Sequence, residues 1–243
     1  MKTESNIETR DTILGGCLEL IQPKHGYRFS VEAILLGRFA HAGTRDRVLE
    51  LGAGCGVVSI MIAALCRPRE VVAIELQPQL AELIERNAAL NDLKSVRAIS
   101  ADLRTRKIAG AEPASFDLIV ANPPYRAAAT GRENPGRGRR LARGESTATL
   151  LDFVAAARRY GRRGARIAFI FTARRTAELL SAMRSHQLEP KRIRFVHPRL
   201  AMPASVVMVE ARVDGGIEVT VEPPLILYDA PGIYSNEALA ILN

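Results

Sequence analysis

Short apolar runs alternate with longer stretches of helical periodicity along most of this 243-residue chain. Seven runs rich in Val, Ile and Ala have the length of buried strands, and the predicted strands are Arg47–Leu51, Glu70–Glu75, Val96–Ser100, Phe116–Ala121, Ala165–Phe171, Arg192–His197 and Ser205–Arg212. The remaining stretches place apolar residues at helical spacing, and the predicted helices are Ser30–Ala40, Val57–Leu65, Gln79–Asn91, Thr147–Tyr160 and Ala173–Ser185. Strands that alternate with helices predict an α/β fold with a mainly parallel sheet covered on both faces.

The segment ahead of the first predicted strand has its own organisation. Leu18–Phe29 fits a short strand or a hairpin, and Ser30 is a predicted N-cap for the helix that follows. We therefore expect an N-terminal extension over residues 1–45, packed on a main domain over residues 46–243.

The composition is that of a soluble globular protein, with 47% hydrophobic and 25% charged residues. No apolar run approaches the roughly 20 residues that span a bilayer, and the polar segment Met1–Asp11 is not typical of a signal peptide. We therefore expect a cytoplasmic protein with no membrane partner. The three cysteines form no CxxC pair, which disfavours a disulfide framework and a metal site, and Cys55 is interpreted as structural.

A glycine-rich loop follows the strand Arg47–Leu51. The run Glu50–Gly56 has glycine at every second position from Gly52 and precedes a predicted helix. Val57 occupies the last glycine position of the dinucleotide fingerprint, and the chain has no GxxxxGK[ST] phosphate loop, so a ligand without a pyrophosphate is favoured. Glycine lets a ligand touch the backbone, and free amides at the helix start are expected to face it. The alternative is a tight turn without a ligand, but such a turn needs one glycine rather than three.

Acidic residues stand near the ends of three successive predicted strands. After Glu50, Glu75 ends the next strand and Asp102 follows the third. A carboxylate at the position of Glu75 can accept hydrogen bonds from both hydroxyls of an adenosine ribose. Asp102 could accept one from the adenine amine. Each acid alone fits a solvated strand end equally well, but all three are expected at the same edge of the sheet.

The fourth predicted strand runs directly into Asn122, Pro123, Pro124 and Tyr125. Two prolines end a strand by removing donors and fixing the backbone, so a rigid turn is the structural alternative. The quartet, however, lies at the carboxyl end of a strand, where ligands bind in such sheets.

This quartet suits methylation of a planar amino group. Acceptors from the Asn122 side chain and the Pro123 carbonyl can bind both N–H groups and aim the nitrogen lone pair at a methyl donor. Tyr125 can stack on a base that has left its helix or loop. Catalysis would then rest on positioning and electrostatics, which needs no histidine.

Two of these motifs resemble those of known enzymes. The glycine loop resembles motif I of class I methyltransferases, which bind S-adenosylmethionine, and Asn122–Tyr125 resembles motif IV of amino methyltransferases. Motif IV of this type occurs both in adenine methyltransferases of DNA and RNA and in glutamine methyltransferases of release factors. Both substrates offer a planar –NH2, so the quartet alone does not separate them.

The flanking segments resemble the bacterial family that methylates adenine N6 beside the anticodon of a valine tRNA. These segments are Gln22–Ser30, Leu35–Ala40, Ala142–Glu145 and Leu225–Leu239. Gly144 departs from the family, where a histidine is common. The resemblance covers nearly the whole chain and implies tRNA, or another structured RNA, as the partner.

The resemblance also implies a fold, a cofactor and site residues. The fold is a Rossmann-like, seven-stranded, mainly parallel sheet with helices on both faces, and the cofactor S-adenosylmethionine leaves as S-adenosylhomocysteine. The implied catalytic residues are Asn122, Pro123, Pro124 and Tyr125. The implied cofactor-binding residues are Arg28, Phe29, Glu50, Gly52, Ala53, Gly54, Gly56, Glu75, Leu76, Ala101, Asp102, Leu103 and Asn122.

Three alternative functions stay open. Glutamine methyltransferases carry several helices before the glycine loop, and the 49 residues ahead of Glu50 are too few for them. A non-catalytic RNA-binding module with a relic fold would not need Asn122 and three loop glycines. Guanine-N2 methylation usually pairs the prolines with Phe, where this chain has Tyr125.

The net charge of +8 favours an anionic partner, and position along the chain sharpens this expectation. Six arginines follow the quartet in a stretch interrupted by Gly, Pro and Asn, which is typical of a long loop at the mouth of a site. The predicted RNA-binding residues are Arg126, Arg132, Arg137, Arg139, Arg140 and Arg143. Two further clusters could extend this surface, and they are Arg158, Arg159, Arg162, Arg163 and Arg166, and Lys191, Arg192, Arg194 and Arg199.

Overall fold

The computed structural model of this protein describes residues 8–25, 28–125 and 148–243. The strands are β1 (Glu8–Ile13), β2 (Leu18–Pro23), β3 (Arg47–Leu51), β4 (Glu70–Glu75), β5 (Val96–Ser100), β6 (Phe116–Ala121), β7 (Gly161–Thr172), β8 (Leu188–His197), β9 (Val206–Val213), β10 (Thr220–Val221), β11 (Leu225–Ile226), β12 (Tyr228–Ala230) and β13 (Ile233–Tyr234). The helices are α1 (Val31–Phe39), α2 (Val57–Cys66), α3 (Pro78–Leu90), α4 (Leu150–Tyr160), α5 (Thr176–Ser185) and α6 (Asn236–Leu242), with a 3-10 turn at Ala173–Arg175.

The central sheet has the order β10-β8-β9-β7-β6-β3-β4-β5, and β11 also pairs with β8. Strand β9 is antiparallel to both β7 and β8, whereas β3, β4, β5, β6 and β7 pair in parallel. The seven strands β3 to β9 are the seven predicted from the sequence, and four of them have the predicted bounds. The two-residue strands β10 and β11 extend the sheet beyond that prediction.

Helices cover both faces of this sheet. One apolar cluster joins α1, α2 and α3 to one face, and a second joins α4 and α5 to the other. Residues of α1 share a hydrophobic core with α2. The division into an N-terminal extension, residues 1–45, and a main domain, residues 46–243, stays a prediction. Within the described part of the chain, no helix is both long and apolar enough to cross a membrane.

The start of the chain was only partly predicted. Strand β1 pairs with β2 as an antiparallel hairpin, but its sequence is mostly polar and carried no strand signal. Helix α1 begins at Val31 as expected, although Ser30 makes no side-chain capping hydrogen bond. Helix α4 begins later than predicted, because Thr149 and Asp152 form a capping box there.

Two asparagines one turn apart on α3 attach the hairpin to the sheet. The side chain of Asn87 accepts from Ile21 N at 2.7 Å and donates to Ile21 O at 2.9 Å. Asn91 makes the same pair of bonds with the backbone of Glu19, at 3.0 and 2.7 Å. The two side-chain amides therefore bind the backbone N–H and C=O groups on the outer edge of β2, as a third strand would. Asn87 also donates to Cys55 O at 2.9 Å, which links the hairpin to the glycine loop.

Candidate active site

The glycine loop and the Asn122 quartet leave adjacent strands at the same edge of the sheet. Leu51, the last residue of β3, pairs in register with Ala121, the last residue of β6. The next residues, Gly52 and Asn122, therefore lie side by side at the carboxyl edge. This register brings together the two motifs predicted to bind the cofactor and the reacting amine.

The loop needs glycine for both its conformation and its packing. Gly52, Gly54 and Gly56 have φ angles of +67°, +59° and +84°. A Cβ at Gly56 would lie 2.9 Å from a methyl carbon of Ile84, inside contact distance. The alternating glycines therefore allow a turn that side chains would strain and crowd.

Hydrogen bonds within the protein engage several amides of this loop. The amides of Gly52 and Ala53 both donate to Ile74 O, at 2.8 and 3.0 Å. Gly54 donates to Glu75 Oε2 at 2.9 Å and Gly56 to Ala53 O at 2.9 Å. These bonds hold the loop against β4. The expectation that free amides at the start of α2 face a ligand stays a prediction.

Glu75 is a buried carboxylate at the end of β4. Its exposed fraction is 6%, and its Oε1 accepts from Gln77 N at 2.9 Å while Oε2 holds Gly54. Each carboxylate oxygen has a second lone pair. Glu75 is therefore oriented by the backbone and retains acceptor capacity for two ribose hydroxyls.

The other side of the predicted nucleoside site is formed by the ends of β4 and β5. Ala101 N donates to Glu75 O at 2.9 Å, so the ends of β4 and β5 are joined. Asp102 is already engaged by the guanidinium of Arg104, which lowers the pKa of that carboxyl. Leu76 is exposed beside Glu75 and offers an apolar surface, whereas Leu103 is buried in the core.

Glu50 is buried beneath the loop, and one carboxylate oxygen is bound to the protein. Its Oε2 accepts from both the amide, at 2.9 Å, and the hydroxyl of Ser59 in the first turn of α2. Burial raises the pKa of Glu50 to about 7, and the Ser59 bonds only partly offset this effect. Glu50 therefore ties β3 to α2, a contact that sequence patterning did not predict.

Arg28 and Phe29 are held by the hairpin. The Arg28 guanidinium donates to Thr9 Oγ1 at 2.9 Å and lies 3.4 Å from Asp11. Gln22 is buried and accepts from Phe29 N at 3.2 Å. These bonds direct the Arg28 side chain toward β1, and its predicted contact with a cofactor stays a prediction.

The quartet lines a cavity of about 270 Å³ together with two residues of the α1 start. The lining residues are Ser30, Glu32, Asn122, Pro123, Pro124 and Tyr125. Pro123 is buried and Asn122 is half-buried, so the asparagine side chain can reach a molecule in the cavity. Sequence reasoning missed Ser30 and Glu32 as site residues, because only the packing of α1 brings them to β6.

Tyr125 is fixed by contacts that the sequence did not indicate. Its ring meets Phe171 edge-on, with centroids 5.7 Å apart, and its carbonyl accepts from Arg175 Nη1 at 2.9 Å. Arg175 also lies over the Phe171 ring and pairs with Glu178. The Tyr125 hydroxyl is buried without a partner among the described residues, and burial raises its pKa.

The residues interpreted as structural keep that role. Cys55 is buried, and burial raises the pKa of its thiol to about 12, which disfavours a nucleophilic thiolate. His186 and His197 bond to nearby backbone carbonyls, and His25 and His41 are exposed. No group of side chains suited to a metal ion occurs within the described ranges.

The arginine clusters differ in position. The predicted RNA-binding residues Arg126, Arg132, Arg137, Arg139, Arg140 and Arg143 lie outside the described residues. The cluster of residues 158–166 lies toward the amino end of β7, away from the quartet, and most of its members bond to acids or carbonyls. This cluster therefore lies away from the quartet, and its contact with RNA stays a prediction.

The third cluster is largely structural as well. Arg192 pairs with Glu210 and Glu222, and Arg194 pairs with Glu237. Arg199 is different, because it is exposed just beyond the carboxyl end of β8, at the same edge as the quartet.

Comparison with known proteins agrees with this geometry. Residues 29–130 match the TRM5/TYW2 methyltransferase domain family. A tRNA1(Val) (adenine(37)-N6)-methyltransferase of Aeromonas hydrophila subsp. hydrophila is 27% identical over 221 residues, 89% of each chain. A protein of the same name from a Flavobacteriaceae bacterium is 36% identical over 109 residues, covering 43% of this chain and 44% of that protein.

Solved structures share the fold. A predicted O-methyltransferase, Atu636 from Agrobacterium tumefaciens, superposes with a TM-score of 0.68 at 24% identity, over 86% of this chain and 94% of that one. TYW2 of P. horikoshii, solved in complex with MeSAdo, superposes with a TM-score of 0.62 at 17% identity, over 88% and 74% of the two chains.

The nine-stranded sheet, the glycine loop against Glu75 and the quartet beside it give this chain the fold of class I S-adenosylmethionine-dependent methyltransferases. Within that class, the chain is a relative of the bacterial tRNA1(Val) (adenine(37)-N6)-methyltransferases over 89% of its length.

Proposed function

We propose that this protein transfers a methyl group from S-adenosylmethionine to the N6 amine of an adenine in tRNA, near the anticodon. The observation that carries the proposal is the placement of Asn122–Tyr125 directly beside the glycine loop, at the carboxyl edge of the sheet. The names of the relatives support adenine N6 as the acceptor and tRNA as the substrate.

The cofactor would be held between the ends of β3, β4 and β5. Glu75 has lone pairs for the ribose hydroxyls, Leu76 offers an apolar surface to the adenine, and the Gly52–Gly56 backbone permits close approach. When bound, S-adenosylmethionine supplies an electrophilic methyl group on a sulfonium.

The quartet would act on the acceptor amine. The Asn122 side-chain oxygen and the Pro123 carbonyl each accept one N–H of the amine, which orients the nitrogen lone pair. The two prolines restrict the movement of that carbonyl because each ring fixes φ and a following proline also restricts the residue before it. Rate enhancement then comes from orientation and from acceptors matched to the positive charge that develops on nitrogen.

The experiment is methyl transfer to unmodified bulk tRNA with labelled S-adenosylmethionine, followed by mass spectrometry of the nucleosides. N6-methyladenosine is the expected product. Asn122→Ala is expected to lower the transfer rate by about 100-fold or more, the usual scale for removing a polar group that stabilises developing charge. Equilibrium binding of cofactor and tRNA should change by no more than roughly two-fold, because the asparagine acts mainly in the transition state.

Two outcomes would contradict the proposal. If label appears on a protein glutamine and on no RNA, the substrate is a protein. If Asn122→Ala binds cofactor and tRNA normally and transfers at the wild-type rate, the quartet does not carry the chemistry.

A further inference from the structure

We propose that Glu32 is a further catalytic residue, whose carboxylate takes up the proton that the methylated nitrogen must lose. This inference rests on the proposed function and adds to it a group outside the Asn122–Tyr125 quartet.

The fold places Glu32 at the quartet. It lies in the first turn of α1 and lines the same cavity of about 270 Å³ as Asn122, Pro123 and Tyr125. Helix α1 packs against α2 and β7, and this packing holds its first turn at the carboxyl edge of the sheet. The position of Glu32 is therefore set by the core rather than by a surface loop.

Glu32 differs from the other acids near the site. Glu50 is bound to Ser59, Glu75 to two backbone amides, and Asp102 to Arg104. Glu32 is half-buried, and in the described part of the chain no hydrogen bond or ion pair engages its carboxylate. With respect to the described residues, the Glu32 carboxylate is therefore available to a ligand in the cavity.

The reaction leaves a proton to remove. The amine lone pair forms a bond to the methyl carbon as the carbon–sulfur bond breaks, and that electron pair stays on sulfur. The nitrogen becomes positively charged as this bond forms, so a base beside it can take one of its two hydrogens as a proton in the same step. Asn122 and the Pro123 carbonyl are neutral acceptors, whereas a carboxylate is a stronger base and also attracts the positive charge that develops on nitrogen. Glu32 takes this proton and passes it to water at the cavity mouth.

Tyr125 does not compete for this role. Its hydroxyl is buried, and burial together with the charge of Glu32 raises its pKa. The phenol therefore stays protonated and can only donate. Glu32 is thus the one ionisable carboxylate among the described residues that line the cavity.

A simpler reading is that Glu32 only stabilises the start of α1, since an acid in a first turn interacts favourably with the helix dipole. That role predicts a small loss of thermal stability and no effect on the chemical step. The two readings are separated by measuring the melting temperature and the single-turnover rate on the same variants.

The experiment compares Glu32→Gln with wild type, using Glu82→Gln as the matched control because Glu82 is an exposed acid on α3. Single-turnover methyl transfer to unmodified tRNA is measured at saturating cofactor and RNA, with both dissociation constants measured separately by equilibrium titration. Glu32→Gln is expected to slow transfer by at least about ten-fold, which is less than the roughly 100-fold or more of typical acid–base catalysis because a cationic amine loses its proton readily. Both dissociation constants should stay within roughly two-fold, and Glu82→Gln should match wild type.

A second variant guards against a folding effect. Glu32→Ala should recover transfer as formate or acetate is added, because a small carboxylate can occupy the space of the lost side chain. Rescue that rises with carboxylate concentration, and not with chloride, supports proton uptake at this position.

The proposal is overturned if Glu32→Gln transfers at the wild-type rate or if Glu32→Ala shows no carboxylate rescue. It is also overturned if the rate returns at saturating cofactor while the cofactor dissociation constant rises, since Glu32 would then bind the cofactor. Failure of the proposed function is distinct, because wild type itself would then make no N6-methyladenosine.

Discussion

Glu50 illustrates how a residue chosen from its motif acquires a different physical description in the fold. The motif suggests an acid that contacts the cofactor, whereas the structure places its carboxylate under the loop, bound to Ser59. Full burial penalises the charged form, which raises the pKa of Glu50 to about 7 from its ordinary 4.5. This shift makes stability depend on pH near neutrality.

We expect Glu50→Gln to be more stable than wild type at pH 8, by an amount that shrinks toward pH 5. Between about pH 4.5 and 7 the folded protein keeps a proton that the unfolded chain has lost, so raising the pH lowers the stability of wild type. The neutral variant escapes this loss. The gain should be on the order of 1–3 kcal/mol, or roughly 2–10 °C in melting temperature.

Thermal unfolding of both proteins from pH 5 to 8 tests this expectation. Glu82→Gln is the control, because this exposed acid should show no such trend. A constant difference between wild type and Glu50→Gln across the range would mean that Glu50 is ionised throughout the folded state.

At the scale of elements, the hairpin β1–β2 depends on α3 for its attachment. Asn87 is fully buried and makes three hydrogen bonds, two to Ile21 and one to Cys55. The same side chain therefore supports the hairpin and the glycine loop. Asn87 lies on the buried face of α3, and the fold identifies β2 as the strand whose backbone it binds.

Replacing Asn87 with Ala should destabilise the protein by about 2–4 kcal/mol, because buried backbone groups on two segments lose their partner. Asn91→Ala is the matched comparison, since Asn91 makes similar bonds at a half-buried position and should cost less. Denaturant unfolding measures both changes. Hydrogen exchange at Ile21 should rise in Asn87→Ala, and equal costs for the two variants would contradict the role of burial.

At the scale of the whole molecule, some basic side chains pair with acids of the fold and others are exposed to solvent. Many arginines that look available in the sequence hold the fold together, such as Arg162 with Asp117 and Arg192 with Glu210. Arg199 and Arg163 are both exposed, but Arg199 lies at the edge of the quartet and Arg163 toward the opposite edge. Three strand spacings separate β8 from β6, which places Arg199 about 14 Å to the side of the site.

This difference predicts which arginine contacts tRNA. Arg199→Ala should weaken tRNA binding and reduce the dependence of log Kd on log salt by up to about one unit, as expected for the loss of one phosphate contact. Arg163→Ala removes the same charge and should leave that slope unchanged. Binding titrations at several salt concentrations measure both slopes, and equal effects from the two variants would assign the loss to net charge alone.

The sequence by itself determined the seven central strands and the motifs at their ends. Strands such as Glu70–Glu75 are buried on both faces of the sheet, so their continuous apolar composition identifies them as strands without knowledge of their neighbours. The positions of Gly52 and Asn122 followed from the same logic, because parallel strands end at one edge. The polar strand β1 left no such signal, since its pairing depends on β2 and on the asparagines of α3.

Only the tertiary structure decided which side chains meet. It bound Glu50 to Ser59, set Arg175 on the Tyr125 carbonyl and placed Glu32 in the cavity of the quartet. Each contact joins residues of different elements, and local periodicity carries no information about how elements pack against one another. The tertiary structure also distinguishes the arginines that pair with acids from Arg199, which is exposed at the edge of the site. Composition gives the number of charges, but packing decides which of them can contact a partner.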